Sequence, residues 1–482
     1  MRALEDDLED RLLKLQDSKD DKNKTPLEKA LEKLLNDKQE LMLEQNRRYL
    51  TALFEDQLLA PIKIRNAQVT NSQSFRSSFI RAQLQPLLKS NINTLSNFFE
   101  AIDESTRNLL KSRLVDNVVI SIQTLPRNYY NRHKPSIEVV PIFQVIPVKR
   151  FFAKSGTNIG NGEGDTYIQF QFKNLWGGAE NISFDATTGT KTSLSYLVNY
   201  TQPLFNNVAY LMENLWYRNT RLLEWIQSEV QTTGTTLRCS TQYDGPWNHD
   251  LLMEASWRVL NNLNSKADDV LLGAGSDFKK SINYTGVHDT RDAKILPTSG
   301  KLLKWSFELN PWSYFKLAFE AQFAHKLNAN HSILFKTKSG ALYPFTDVSN
   351  ILDRFNIGGP NDVRSFMMNG LGPKQFASSV GGDIFINGGI SMISKLPGVP
   401  VDSGFKLHTF INGGRLIACD KSKGVYGNVR ELLDGGSLST GLGILYNHPA
   451  ARFELNLVFP LVAHKRDSLR KGVEAGIGIS FL

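Results

Sequence analysis

The sequence predicts an all-β transmembrane barrel of 16 antiparallel strands, preceded by a small α+β domain and a charged helical extension. Three observations carry this fold class. From about residue 149 to the end the chain reads as strands and turns with little helix. Several segments alternate strictly between apolar and polar residues, so each strand has two different solvents. Most of these segments span 9 to 13 residues, whereas strands of soluble sheets average about 5–6 and a tilted strand crossing a bilayer needs about 9–11.

The alternation is clean in four places. Ile168, Phe170 and Phe172 oppose Gln169, Gln171 and Lys173; Leu303, Trp305, Phe307 and Leu309 oppose Lys304, Ser306 and Glu308. Phe315, Leu317, Phe319, Ala321 and Phe323 oppose Lys316, Glu320 and Gln322, and Phe453, Leu455, Leu457, Phe459 and Leu461 oppose Glu454 and Asn456. Sixteen strands are expected to begin near residues 150, 164, 180, 193, 207, 231, 248, 279, 301, 313, 330, 382, 404, 438, 451 and 471. An even number lets the first and last strands of an antiparallel barrel meet, and about 21 residues per strand with its connection leaves room for some long loops. Trp176, Trp216, Tyr217, Trp247 and Trp312 lie near expected strand ends and suit interfacial girdles.

Ahead of the barrel, residues 60–148 read as β-α-α-β-β, with strands at Pro61–Val69, Val115–Thr124 and Ile137–Val148 and helices at Phe75–Leu88 and Thr94–Lys111. Such a sheet either accepts an extended peptide at its open edge or serves as a spacer. Residues 1–59 read as helical, with Thr25-Pro26-Leu27-Glu28 supplying a capping hydroxyl, a first-turn proline and a capping-box glutamate. Leu27, Leu31, Leu34 and Met42 follow only a ragged helical spacing, which fits a solvated extension better than a coiled-coil partner site.

Composition narrows the function classes. The chain has 482 residues and a formal charge of +8, and the first 50 hold 13 acidic and 11 basic residues, so the positive excess lies beyond them. That excess suits an anionic membrane surface, a nucleic acid or a lumen that handles unfolded chains. Cys239 and Cys419 form no disulfide framework and no CxxC pair, and no HExxH or GxxxxGK[ST] occurs, so zinc hydrolysis and P-loop chemistry lose support. No run of about 18 apolar residues marks a membrane helix. The acidic N-terminus matches neither a secretory signal nor a cleaved mitochondrial presequence. No catalytic, cofactor-binding or metal-binding residues can be named, and the glycines Gly156, Gly160, Gly162 and Gly164 read as a turn between strands rather than a nucleotide loop.

Two stretches go beyond pattern. The connection at 341–381 contains Phe355-Asn356-Ile357-Gly358-Gly359-Pro360-Asn361-Asp362-Val363-Arg364-Ser365-Phe366 and then Gly370-Leu371-Gly372-Pro373. A connection of that length is functional or disordered. It resembles the sixth loop of the BamA-like outer-membrane assembly superfamily, whose signature is a Val/Ile-Arg-Gly-Phe/Tyr tetrapeptide after a Gly-rich run; Val363, Arg364 and Phe366 match, and Ser365 replaces the glycine. In that family the loop folds back into the barrel and its arginine contacts the inner wall, commonly an aspartate in a Phe-x-Asp-x-Gly strand motif. The corresponding stretch here is Phe410-Ile411-Asn412-Gly413-Gly414, with Asn412 for the aspartate. A neutral amide does not offset a guanidinium, so a lumen-facing carboxylate such as Glu454 or Asp383 is expected to help.

The C-terminus, Glu474-Ala475-Gly476-Ile477-Gly478-Ile479-Ser480-Phe481, is similar to the β-signal of mitochondrial barrel precursors. With His448-Pro449-Ala450-Ala451-Arg452-Phe453-Glu454-Leu455 and Arg470-Lys471-Gly472, the last 130 residues or so resemble the fungal members of the family of central barrel subunits of the mitochondrial sorting and assembly machinery, the SAM or TOB complex. The single β-α-α-β-β domain resembles that family's POTRA domain.

The resemblance implies a protein that inserts and folds β-barrel precursors carrying a C-terminal β-signal, in the mitochondrial outer membrane, with the POTRA domain in the intermembrane space. It implies peripheral cytosolic receptor subunits and membrane lipids as partners, and no nucleic acid, nucleotide or other cofactor. The first strand, with Phe151, Phe152, Lys154, Gly156 and Thr157, alternates poorly and holds a glycine; the last carries Glu474, Gly476, Gly478, Ile479 and Phe481. Glycine-bearing strands pair less firmly, so this seam is expected to be a lateral gate, the alternative being ordinary closure with glycines fitted for curvature. Two other functions stay open: a passive outer-membrane pore or secretion barrel, and a soluble all-β enzyme.

Overall fold

The computed structural model describes residues 58–88, 94–124, 137–160, 163–399, 403–448 and 451–478. The capping-box segment at 25–28 and the terminal Ile479 and Phe481 lie outside the described residues.

In the N-terminal part, the short strands β1 (Ile62–Ile64) and β2 (Gln68–Thr70) precede helices α1 (Ser77–Gln83), α2 (Gln85–Leu88) and α3 (Leu95–Lys111), then β3 (Val115–Thr124) and β4 (Ile137–Pro147). β1 and β2 both pair in parallel with β4, and β3 pairs with it too. The single first strand expected from sequence is split. Ile62 faces Ile137 but Gln68 faces Ile142, so one more residue is spent on the first strand than on β4, and the ladder breaks at that excess. The first expected helix also divides, at Leu84, because Pro86 has no N–H to give the preceding turn.

The rest of the described chain is one 16-stranded sheet in chain order. Its strands are β5 (Phe151–Gly160), β6 (Glu163–Lys173), β7 (Asn181–Gly189), β8 (Thr192–Leu204), β9 (Asn207–Leu223), β10 (Ser228–Thr241) and β11 (Trp247–Asn262). After helix α4 (Asp268–Gly273) come β12 (Gly275–Asp289), β13 (Gly300–Asn310), β14 (Tyr314–Lys326) and β15 (His331–Pro344). The connection to β18 holds the two-residue strands β16 (Lys374–Gln375) and β17 (Ser378–Ser379), which pair with each other. β18 (Ile384–Lys395), β19 (Phe405–Ile417), helix α5 (Gly424–Leu433), β20 (Ser437–Asn447), β21 (Arg452–Val462) and β22 (Gly472–Gly478) complete the chain. All neighbours are antiparallel, and the Cα atoms of β5 and β22 approach within 8 Å, so the sheet curls back on itself.

The two faces of this wall are inverted relative to a water-soluble protein. On β21 the apolar residues Phe453 to Leu461 at alternate positions are 39–55% exposed, while Arg452, Glu454 and Asn456 are at most 4% exposed. Ile168, Phe170 and Phe172 on β6 likewise point outward. A continuous apolar outer band is stable only against hydrocarbon. Inside, cross-strand ion pairs replace a greasy core: Lys279 reaches Glu308 at 2.7 Å and Glu254 at 3.2 Å, and Lys336 reaches Glu320 at 2.9 Å. Among the described residues no helix is long and apolar enough to cross a membrane. Of the aromatics expected at the girdles, Trp176, Trp247 and Trp312 are exposed at or beyond strand ends, whereas Trp216 is exposed but lies mid-strand in β9, away from either end. Tyr217 is a correction: as the strand neighbour of Trp216 it points the other way, into the lumen, and its hydroxyl donates to Glu254 at 2.9 Å.

Candidate functional site

The loop between Pro344 and Ile384 enters the barrel and builds the site. Strand crossings alternate ends, so this loop, the β19–β20 connection and the β21–β22 connection all emerge at the same rim, opposite the end where the chain enters β5. The loop is anchored by its own small apolar core, in which Ile357, Val363, Phe366 and Leu371 pack with Phe385 of β18 and Leu416 of β19. Gly358 stands at φ +112°, and a Cβ there would lie 2.9 Å from the Met367 carbonyl oxygen, so a glycine is needed for the turn to close. Asp362 stitches the turn: it accepts from the Gly358 N–H at 2.9 Å and from Asn387 Nδ2 of β18 at 2.8 Å.

Arg364 is fully buried at the inner wall. Its Nε and Nη2 donate to Glu454 Oε2 of β21 at 3.2 and 2.9 Å. Its guanidinium carbon sits 4.6 Å from the centre of the Phe410 ring of β19, a cation–π contact made in a water-poor setting. Arg452 pairs with the other carboxylate oxygen of Glu454, and Asn456 Nδ2 donates to Oε2 at 2.8 Å. The carboxylate is thus held between two guanidiniums, so each buried arginine has the same anion beside it. Of the two carboxylates expected from sequence, Glu454 takes this place. Asp383 instead accepts from Ser349 Oγ at 2.6 Å and from the Cys419 N–H at 2.9 Å, holding the loop's exit.

Asn412 enters through a relay: Ser439 Oγ lies 2.5 Å from Asn412 Oδ1 and 2.7 Å from the Arg364 carbonyl oxygen. Phe410 and Asn412 are both buried on the lumen face of β19, and Gly414 comes close to Asn387, where an added Cβ would meet the Asn387 Cβ at 2.8 Å.

Ser365 keeps the backbone that a glycine would take, with φ +74°. Its N–H donates to Glu474 Oε2 of β22 at 3.2 Å and its Oγ to the Arg470 carbonyl at 3.1 Å, while Arg470 N–H returns a bond to the Ser365 carbonyl at 2.9 Å. The hydroxyl bond, worth about 1 kcal/mol, offsets the roughly 1–2 kcal/mol that an L-residue loses there. Ser365→Gly is therefore expected to change stability by no more than about 1 kcal/mol, and Ser365→Val to destabilise by about 1–3 kcal/mol. Denaturant unfolding in micelles measures both; a large loss in the glycine variant would contradict the compensation.

The backbone at 365–372 then runs beside the β21–β22 connection. Met367 N–H donates to the Ser468 carbonyl and Ser468 N–H to the Gly370 carbonyl, each at 2.9 Å, and Gly372 N–H reaches Asp467 Oδ1 at 3.0 Å. The loop is in effect zipped to the segment leading into the last strand.

A second clamp, which sequence reasoning missed, holds the loop's entry. Arg258 of β11 donates to both carboxylate oxygens of Asp353 at 2.6 and 3.1 Å and also pairs with Asp277 of β12. Arg354 pairs with Asp269 of α4. Burial works against the Asp269 charge, yet Arg354 and the Gln375 amide hold its carboxyl below the usual range. The available signal was the adjacent pair of opposite charges, Asp353 and Arg354, ahead of the glycine-rich run. Arg452 was readable too, two residues from Glu454 and therefore on the same face.

The expected gate residues make separate contacts. Phe151 packs on Phe172 with ring centres 4.8 Å apart, and Lys173 Nζ sits 4.6 Å over the Phe152 ring. Lys154 and Thr157 are exposed on β5. Gly156 lies against Tyr167 of β6, where a Cβ would come within 2.8 Å of the hydroxyl. On the last strand Glu474 is buried toward the loop and Val473 is exposed; Gly476 and Gly478 pair with Glu454 and Arg452 of β21. Among the described residues the only hydrogen-bonded neighbour of β22 in the sheet is β21, and that of β5 is β6.

Comparison with known proteins places this arrangement. The Omp85 superfamily domain matches residues 174–481. The sorting assembly machinery 50 kDa subunit of Saccharomyces cerevisiae is 30% identical over 474 residues, covering 89% of this chain and 96% of the yeast protein. The human sorting and assembly machinery component 50 homolog is 31% identical over 355 residues, covering 70% of this chain and 75% of the human protein. BamA from Haemophilus ducreyi lacking POTRA domains 1-3 shares the fold, with a TM-score of 0.71, 14% identity and coverage of 86% of this chain and 84% of that one. A 16-stranded outer-membrane wall, a lumen loop with a buried arginine and these relatives agree: the chain belongs to the Omp85 superfamily and, within it, to the family of the sorting and assembly machinery 50 proteins.

Proposed function

We propose that this outer-membrane barrel inserts and folds β-barrel precursors, in the mitochondrial outer membrane, by lending strand edges at the seam between β5 and β22. A precursor hairpin cannot enter hydrocarbon with bare edges, because each unpaired backbone group costs several kcal/mol there. A host strand with free backbone donors and acceptors satisfies that edge one residue at a time, and the work needs no nucleotide. The observation that carries the reading is the position of the lumen loop: Arg364 and Ser365 bind Glu454 of β21 and Glu474 of β22, so the loop sets the inner face of the last strand, which borders the seam, and of its neighbour. Glycines on both strands, Gly156 on one side and Gly476 and Gly478 on the other, soften the junction.

In this reading the substrates carry a C-terminal β-signal that pairs with β5 as β22 does at closure. The segment at 60–148 acts as a POTRA domain on the intermembrane-space side, and receptor subunits dock on the cytosolic side. Site-specific crosslinking with an arrested precursor tests it. Probes along 151–157 and 472–478 are expected to capture the β-signal, and probes on the outer face of β10 are not. Equal capture all round the wall, or none at the seam, would contradict strand templating, and ion flux without any precursor binding would favour a passive pore.

A further inference from the structure

The rim that carries the lumen loop also carries α5, which the assembly reading leaves unused. At about 100° per residue, Val425, Tyr426, Val429, Leu432 and Leu433 fall within one arc of about 120°. Val425 and Tyr426 are more than four-fifths exposed and Leu433 is 71% exposed. The opposite face is satisfied internally: Asn428 Nδ2 donates to the Asp420 and Gly424 carbonyls at 2.8 Å each, and Glu431 accepts from Lys423 Nζ at 2.7 Å. The helix thus turns its apolar side outward and its polar side toward its own connection, the same inversion that the barrel wall shows. Leu432 joins the two surfaces. It lines an apolar groove of about 440 Å³ together with the outward residues Phe307, Phe319 and Ile386 and with Trp305.

From this continuity we infer that α5 is an interfacial lipid anchor, lying in the headgroup layer with Val425, Tyr426, Val429 and Leu433 dipped toward the acyl chains. Lys421, Lys423 and Arg430 are balanced by Asp420, Glu431 and Asp434, so the apolar face rather than net charge drives the contact and zwitterionic lipid suffices. The anchor bears on the site. Glu431 shares a cavity of about 290 Å³ with Leu371 and Gly372 of the lumen loop and Asp467 of the β21–β22 connection, so the helix lies next to the zipped segment.

The test uses the full chain in phosphatidylcholine vesicles free of other proteins. A single environment-sensitive fluorophore is placed at Val425→Cys or, on the polar side, at Arg430→Cys, both in a Cys239→Ser, Cys419→Ser background. Only protein migrating as a compact, heat-modifiable barrel is scored. The label at 425 is expected to emit to the blue and to lose intensity with lipids brominated near the headgroup, and the label at 430 to emit as in water. Water-like, unquenched emission at 425 overturns the inference, as does equal quenching at both positions. A blue shift at 425 that appears only after an outer-membrane protein extract is added also overturns it, since a protein would then cover that face.

Discussion

Arg364→Ala is expected to abolish precursor insertion while the sixteen strands still assemble. The side chain is fully buried and spends two donors on Glu454 and its cationic face on Phe410. Removing one partner of a buried pair costs about 3–5 kcal/mol where the remaining charge is left bare, and the cost here falls below that because Glu454 has a second guanidinium beside it. Arg452 still faces Glu454, so the wall itself keeps a counter-ion. What is lost is the loop's hold on β21, and with it the placement of Ser365 against Glu474 on the last strand. Arg364→Lys retains the charge but not the two-donor geometry, and is expected to fall between wild type and alanine. Insertion of a radiolabelled precursor, scored by resistance to alkaline extraction, is the measurement, with heat-modifiable migration reporting the fold. Normal insertion by a folded alanine variant would remove the loop from the mechanism.

Locking the seam is expected to have an effect as large. Paired cysteines, one within 151–157 and one within 472–478, can bridge β5 and β22 where their Cα atoms come closest, provided that distance is about 4.4–6.8 Å. Templating requires the two strands to part, so oxidation should stop insertion and reduction should restore it, and neither single cysteine should matter. A control pair across β10 and β11, whose register runs unbroken from Ser228/Asn262 to Ser240/Asp250, should leave insertion intact in both redox states. Undiminished insertion with the seam bridged would rule out lateral opening, and ordinary closure with glycines fitted for curvature would then be the correct reading.

The division between what could be read from the chain and what could not has a physical basis. Alternation is local: a strand between lipid and lumen must place apolar side chains at every second position, so Phe453 to Leu461 disclosed both their strand and their outward face, and the sixteen strands were countable. The exception was Tyr217. Its type suited a girdle, but its parity with Trp216 set it on the lumen side beside Glu254. The N-terminal strand and helix breaks were less legible. One depends on a one-residue mismatch with a partner strand some 75 positions away, and the other on how sharply Pro86 interrupts an otherwise periodic pattern.

The loop shows the same boundary. Sequence alone determined that this chain forms an amphipathic β-wall and that a glycine-rich loop carrying Val363, Arg364 and Phe366 interrupts it. It also left the arginine two candidate carboxylates, because Glu454 and Asp383 both lie on lumen-facing positions and attraction between charges says nothing about which is near. Only the tertiary structure decided, by bringing positions 90 residues apart within 2.9 Å and sending Asp383 to Ser349 instead. It alone supplied the Arg258–Asp353 clamp, the left-handed turn at Ser365 and the outward apolar face of α5. Periodicity records which solvent a side chain meets, whereas partner choice depends on distances that the curvature of the whole sheet fixes.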